Sequence, residues 1–165
     1  MSGSTPPVQV LLPDGVLAWA RRLRPGDVSA VMALRGRLTG HDHSFALGTT
    51  RLTELATQLT RSSGVGHTAV GCFVHSRLIG LARYDILADP AVAEVALVVD
   101  DRVPALGVST ILLEQLVVAA SADGVRSFLA DVPAEDPAAL GVFTALGLPF
   151  HLEHDRPATV SLVPA

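Results

Sequence analysis

Few side chains in these 165 residues combine a reactive type with a setting that could use it, and Glu94 is the first of them. It lies in Val92-Ala93-Glu94-Val95-Ala96-Leu97-Val98-Val99, a strand-like apolar run. Alternation puts it on one face with Val92, Ala96 and Val98, a lone carboxylate on an otherwise apolar side. Burial there would raise its pKa toward neutrality and suit it to general-base work. The same carboxylate could instead be satisfied by an arginine such as Arg83 on a neighbouring strand. The second feature is Gly107-Val108-Ser109-Thr110, where a loop leaving Asp100 enters a helical pattern. Free N–H groups and the positive end of the helix dipole meet at such a start, which suits an anion and equally suits a helix start with no ligand.

Other reactive types are poorly placed. His41-Asp42-His43 has ligand-type residues without a third partner and reads as a solvated turn, so no metal site is expected. On a strand, His151 and Glu153 point one way and His154 the other, against joint ligation. Cys72, beside Phe73 on an apolar strand, reads as a small buried residue. Glu114, Gln115 and the Arg21, Arg22, Arg24 group read as solvated faces.

Composition removes whole classes of mechanism. All 12 basic residues are arginine, so Schiff-base, lysine-base and phosphate-loop lysine chemistry are excluded. The net charge of −4 and pI near 5.8, with scattered arginines, give no basic stripe for a nucleic acid. The longest apolar stretches, Leu116–Ala120 and Val95–Val99, are far below the ~18 residues of a membrane span. With one cysteine and no charged-then-apolar leader, a cytoplasmic protein is expected. At 49% hydrophobic and 17% charged the chain has the makings of one folded domain. A mean hydropathy of +0.44 with only 4% aromatics implies a Val, Leu and Ala core and an apolar patch suited to a homodimer or another protein partner.

The elements that must position these residues follow from pattern. Residues 1–7 read as a disordered tail and 8–165 as a single domain. Val8–Leu12 and Val16–Arg22 flank the turn signal Pro13-Asp14-Gly15 and predict a hairpin. Asp27 is a natural N-cap for a helix carrying Val28, Val31, Met32, Leu34 and Leu38 and ending at Gly40. Gly40–Thr50 reads as polar loop and Leu52–Leu59 as a second short helix. Three antiparallel strands follow at Ala69–Val74, Leu78–Asp85 and Val92–Val99, then a helix of about four turns from Gly107 stopped by Gly124. Phe128–Val132 is a strand, Pro137–Leu146 a helix, and Phe150–His154 and Thr159–Val163 are strands. The order β-β-α-α-β-β-β-α-β-α-β-β argues an α/β (α+β mixed-sheet) three-layer domain.

That order, with a helix beginning at a glycine after three antiparallel strands, resembles the GNAT superfamily of N-acetyltransferases. Asp89-Pro90-Ala91-Val92-Ala93-Glu94-Val95-Ala96-Leu97-Val98-Val99 is most similar to the fourth strand of the Pat-type bacterial protein lysine acetyltransferases. The likeness continues through Asp123-Gly124-Val125, and Leu23-Arg24-Pro25-Gly26-Asp27 looks like the entry to that family's first helix.

The resemblance implies acyl transfer from acetyl-CoA or another acyl-CoA, as co-substrate, to an amine such as a protein lysine. It makes Glu94 the base, puts the oxyanion donor on a backbone N–H near Leu97 or Val98, and assigns cofactor binding to Leu97, Val98, Val99, Gly107, Val108, Ser109 and Thr110. The sequence also departs from the family's pattern. Pro104, without an N–H, and Leu106 weaken the expected pyrophosphate loop, with Arg102 placed to compensate. Asp136 stands where an asparagine is common, and the only tyrosine, Tyr84, is far from the last helix, where many GNAT enzymes carry one to protonate the leaving thiolate. A second reading is therefore a catalytically reduced GNAT-like domain serving as a CoA-binding or protein-interaction module.

Overall fold

The Pro13-Asp14-Gly15 turn forms as its residues suggest. Gly15 takes φ 85, the Asp14 carboxylate accepts the Val16 N–H, and strands β1 (Val8–Leu11) and β2 (Leu17–Arg22) pair antiparallel with Leu11 opposite Leu17. The computed structural model describes residues 7–38, 43–45, 57, 66–100, 102–103, 105–130, 137–151 and 158–162. Most of the predicted tail, most of the Leu52–Leu59 helix, Pro104, Asp136, His41, Glu153 and His154 lie outside that set.

A 3-10 turn at Pro25–Asp27 leads into helix α1 (Val28–Arg37), three residues shorter than the Gly40 stop suggests. Asp27 holds the N-cap position without capping. Its carboxylate takes two N–H groups of Arg21 at 2.8 Å each and the Arg24 backbone N–H at 2.8 Å. Arg21 also lies 4.2 Å over the Phe73 ring, so it is half-buried cement and not the solvated residue expected. Burial alone would raise the Asp27 carboxyl, but the Arg21 hydrogen bonds, the Arg24 N–H and the two guanidinium charges outweigh it and hold it below the usual carboxylate range.

The stretch expected to be polar loop between Gly40 and Thr50 contains a strand instead, β3 (His43–Phe45). The meander is as anticipated, with β4 (His67–Val74), β5 (Arg77–Ile86) and β6 (Val92–Val99) antiparallel in that order. His75 makes the first turn at φ 55. Helix α2 (Ala105–Ala122) starts two residues before Gly107 and is followed by β7 (Ser127–Ala130), helix α3 (Pro137–Ala145), β8 (Phe150–His151) and β9 (Ala158–Ser161). The sheet runs β1-β2-β4-β5-β6-β7-β9-β8, with β3 attached to β6 off that path. Among the described strands, only β6 and β7 pair in parallel, across the α2 connection.

Alternation along β6 sorts the two cores. Leu97 and Val99 pack on one face with Val108, Leu112 and Leu116 of α2; Ala96 and Val98 pack on the other with Val31 and Leu34 of α1. Helices on both faces make the three layers anticipated from the element order. Gly80 on β5 lets α2 approach closely, since a Cβ there would lie 3.1 Å from Val108 Cγ1, 3.2 Å from Leu112 Cδ1 and 3.2 Å from the Val98 carbonyl oxygen. Tyr84, fully buried, stacks near Phe128 with ring centroids 6.0 Å apart and donates its hydroxyl hydrogen to Asp123 at the end of α2.

Candidate functional site

Strand β6 has one unbroken edge and one divided edge. Along the first, Ala93 to Val99 pair with Ile86 to Gly80 of β5. Along the second, Val92–Val95 pair with Ser127–Ala130 of β7, whereas Leu97–Val99 pair with Phe45–His43 of β3. The partner therefore changes at Ala96, and Glu94 stands two residues before the change. The residues expected to bind a cofactor through their backbone, Leu97, Val98 and Val99, form the half of that edge that β3 covers, and their side chains are all buried.

Glu94 is half-buried on the α1 face, as alternation requires, but it is not a lone carboxylate. Asp85 lies directly opposite it on β5, and His67 lies opposite Asp85 on β4. Arg83, opposite Ala96 and only 7% exposed at its side chain, shares the face and forms an ion pair with Asp85 at 3.3 Å. Arg83 is on the neighbouring strand that the sequence suggested, paired there with Asp85, whereas Asp85 and His67 could not be foreseen because their positions depend on the register of three strands. Among the described residues no group of three His, Cys, Asp or Glu side chains could hold a metal ion.

At the far end of β6, Asp100 is 1% exposed. Its Oδ2 accepts Nε of Arg37 at 3.2 Å, its Oδ1 accepts the Arg102 backbone N–H at 3.1 Å, and the guanidinium groups of Arg77 and Arg102 stand at 3.9 and 3.8 Å. Arg37 also donates to the Leu78 carbonyl oxygen. Burial would raise the Asp100 carboxyl, but the Arg102 N–H, the Arg37 hydrogen bond and both guanidinium charges together depress it. Arg102, expected to reinforce the helix start, lies beside Asp100 and the Arg37 carbonyl oxygen instead, the latter at 3.4 Å. Sequence reasoning missed Asp100, Arg37 and Arg77 altogether. They are 63 and 23 residues apart along the chain, and only the packing of α1 over the strand ends unites them.

Gly107, expected to begin α2, lies instead within its first turn because the helix starts at Ala105, and its surroundings differ from an open cradle. Val108 is fully buried in the core, Ser109 is 3% exposed and Thr110 is half-buried. Gly107 faces the hairpin turn, where a Cβ would come within 2.9 Å of Pro13 Cδ. Cys72 is fully buried, and desolvation pushes its thiol up to about 11, consistent with a packing residue.

No family model matches this chain, and no curated protein matches it in sequence. Solved structures do match in fold. The GNAT domain of Pat from S. lividans superposes with a TM-score of 0.78 over 94% of this chain and 95% of that one, at 22% identity. The cAMP-binding acyltransferase of Mycobacterium smegmatis gives 0.64 at 23% identity, covering 96% of this chain, which spans only 48% of that protein. The yncA protein of Salmonella typhimurium, solved with its cofactor acetyl-CoA, gives 0.62 at 16% identity over 87% of this chain and 90% of that one. With its divided central strand, helices on both faces and these superpositions, the chain has the GNAT acetyltransferase fold.

Proposed function

We propose that this chain transfers an acyl group from acyl-CoA to an amine, with a protein lysine as the acceptor suggested by the likeness to the Pat GNAT domain. The observation that carries the reading is the change of partner along β6 at Ala96, with a half-buried carboxylate, Glu94, two residues away. Backbone N–H and C=O groups of Leu97–Val99 would pair with the amide-bearing arm of the cofactor, and a backbone N–H near Leu97 or Val98 would face the thioester oxygen. The start of α2 at Gly107–Thr110 would meet the phosphates. Glu94, directly or through water, takes a proton from the ammonium; the freed amine attacks the thioester carbonyl carbon, the C–S bond breaks as the N–C bond is made, and the second N–H proton passes to the departing CoA thiolate or to water. Among the described residues, Asp85 and Glu94 stand opposite each other with Arg83 paired to Asp85, a carboxylate pair that favours a cationic amine over an anionic acceptor.

Two observations favour the second reading, a reduced domain that binds partners without catalysis: β3 occupies the edge the cofactor arm needs, and Pro13 covers Gly107. One pair of measurements separates them. Acetyl-CoA should raise the melting temperature, and Glu94→Gln should abolish acetyl transfer to a lysine-bearing acceptor while leaving that thermal shift intact. Absence of any shift at millimolar acetyl-CoA sinks the enzyme reading.

A further inference from the structure

We propose that the short strand His43–Phe45 is an internal competitor of acyl-CoA, a built-in plug that must leave the β6 edge before the cofactor arm can pair there. This rests on the acyl-CoA reading above and adds its regulation. Each backbone N–H can be donated only once at full strength, and both edges of Leu97–Val99 are already used, one by β5 and the other by β3. An amide-bearing chain adding to the second edge must take the same donors and acceptors, by strand addition. The plug also lies near α3. Its anchor is visible. Val99 pairs with His43, the next residue on β6 is Asp100, and Asp100 grips Arg37, six residues before His43 at the end of α1. The Arg37–Asp100 bond thus holds the end of α1 beside the end of the strand that the plug covers.

A three-residue strand is weakly held, which is what a displaceable competitor requires. Apparent cofactor affinity is then the intrinsic affinity reduced by the fraction of molecules with the edge open. Successive N–H groups on a strand point to opposite edges, so of Ser44→Pro and Phe45→Pro one removes a hydrogen bond to β6 and the other is its control. Acetyl-CoA titrated calorimetrically into wild type and both variants should bind one variant roughly five- to tenfold more tightly than wild type. Binding by that variant alone supports the plug equally. Should neither variant fold, amide hydrogen exchange on the wild-type protein decides alone: saturating acetyl-CoA should strip protection from residues 43–45 while Leu97–Val99 stay protected. Acetyl-CoA binding with equal affinity in all three proteins, or with the protection of 43–45 unchanged, overturns the plug and leaves the acyltransferase reading standing. No binding to any of them at millimolar concentration overturns both.

Discussion

Replacing Asp100 by Asn tests whether the buried carboxylate secures the end of β6. The carboxylate is 2% exposed and makes two hydrogen bonds, to Arg37 Nε and to the Arg102 backbone N–H. Asparagine keeps an oxygen for the backbone N–H but loses the charge that faces Arg37, whose side chain is 18% exposed. Arg77 and Arg102 are 51% and 58% exposed and lie beyond hydrogen-bond distance, so solvent screening leaves them little weight. What remains is one charge-assisted hydrogen bond in a partly buried setting, about 2 kcal/mol. For a chain of this length that is a fall in melting temperature of roughly 4–8 °C at pH 7. The Asp100 pKa is depressed on folding, so its contribution is present above the unfolded value near 4 and is lost as pH falls through the folded value. Urea unfolding of wild type and Asp100→Asn at pH 7 and at pH 3 should therefore give a gap that narrows sharply on acidification. Equal stability at pH 7, or a gap unchanged at pH 3, refutes the account.

Two further predictions concern the opposite face. Tyr84 is the only tyrosine, so absorbance at 295 nm reports it alone; burial and the Asp123 contact push its hydroxyl up to about 12, and native protein should show little phenolate at pH 10.5. Because this pKa is raised, the stabilisation is complete below the ordinary value near 10 and is lost as pH climbs toward the folded one, so alkaline unfolding should coincide with the absorbance rise; ionisation near 10 in folded protein contradicts the burial. Gly80→Val would drive methyl groups into Val108 and Leu112 and toward the Val98 carbonyl oxygen, and should cost about 1–3 kcal/mol by denaturant unfolding, whereas an unchanged midpoint would mean α2 is not held at that distance.

The parts of this fold legible in the sequence are those set by local chemistry or by period. The Pro13-Asp14-Gly15 turn, the alternating strands and the glycine stops at 124 and 147, with φ 87 and 68, each follow from a few adjacent residues. The misread residues depend on distant partners. Asp27 has the type of an N-cap, but a guanidinium six residues earlier on β2 offers its carboxylate a charged partner and takes it. Arg21 looked solvated because a sequence does not disclose that Phe73 sits opposite Trp19 on the next strand. Glu94 could be assigned its face from alternation alone, but not the Asp85 opposite, because that requires the β5–β6 register.

The same distinction bears on function. The family-like strand around Glu94 and the glycine at 107 are local signals and argue for chemistry, whereas the objections arise from segments far away in sequence: Pro13 against Gly107, and His43–Phe45 along Leu97–Val99. The two objections differ physically. Pro13 meets Gly107 through side-chain contact, which a small movement of an exposed hairpin turn would relieve. The strand at 43–45 holds backbone groups that a bound cofactor would need, and no side-chain adjustment releases them. On the acyl-CoA reading, access of the cofactor therefore turns on the free energy of freeing three residues from one strand edge. On the same reading, phosphate affinity at the start of α2 is a separate step from opening that edge.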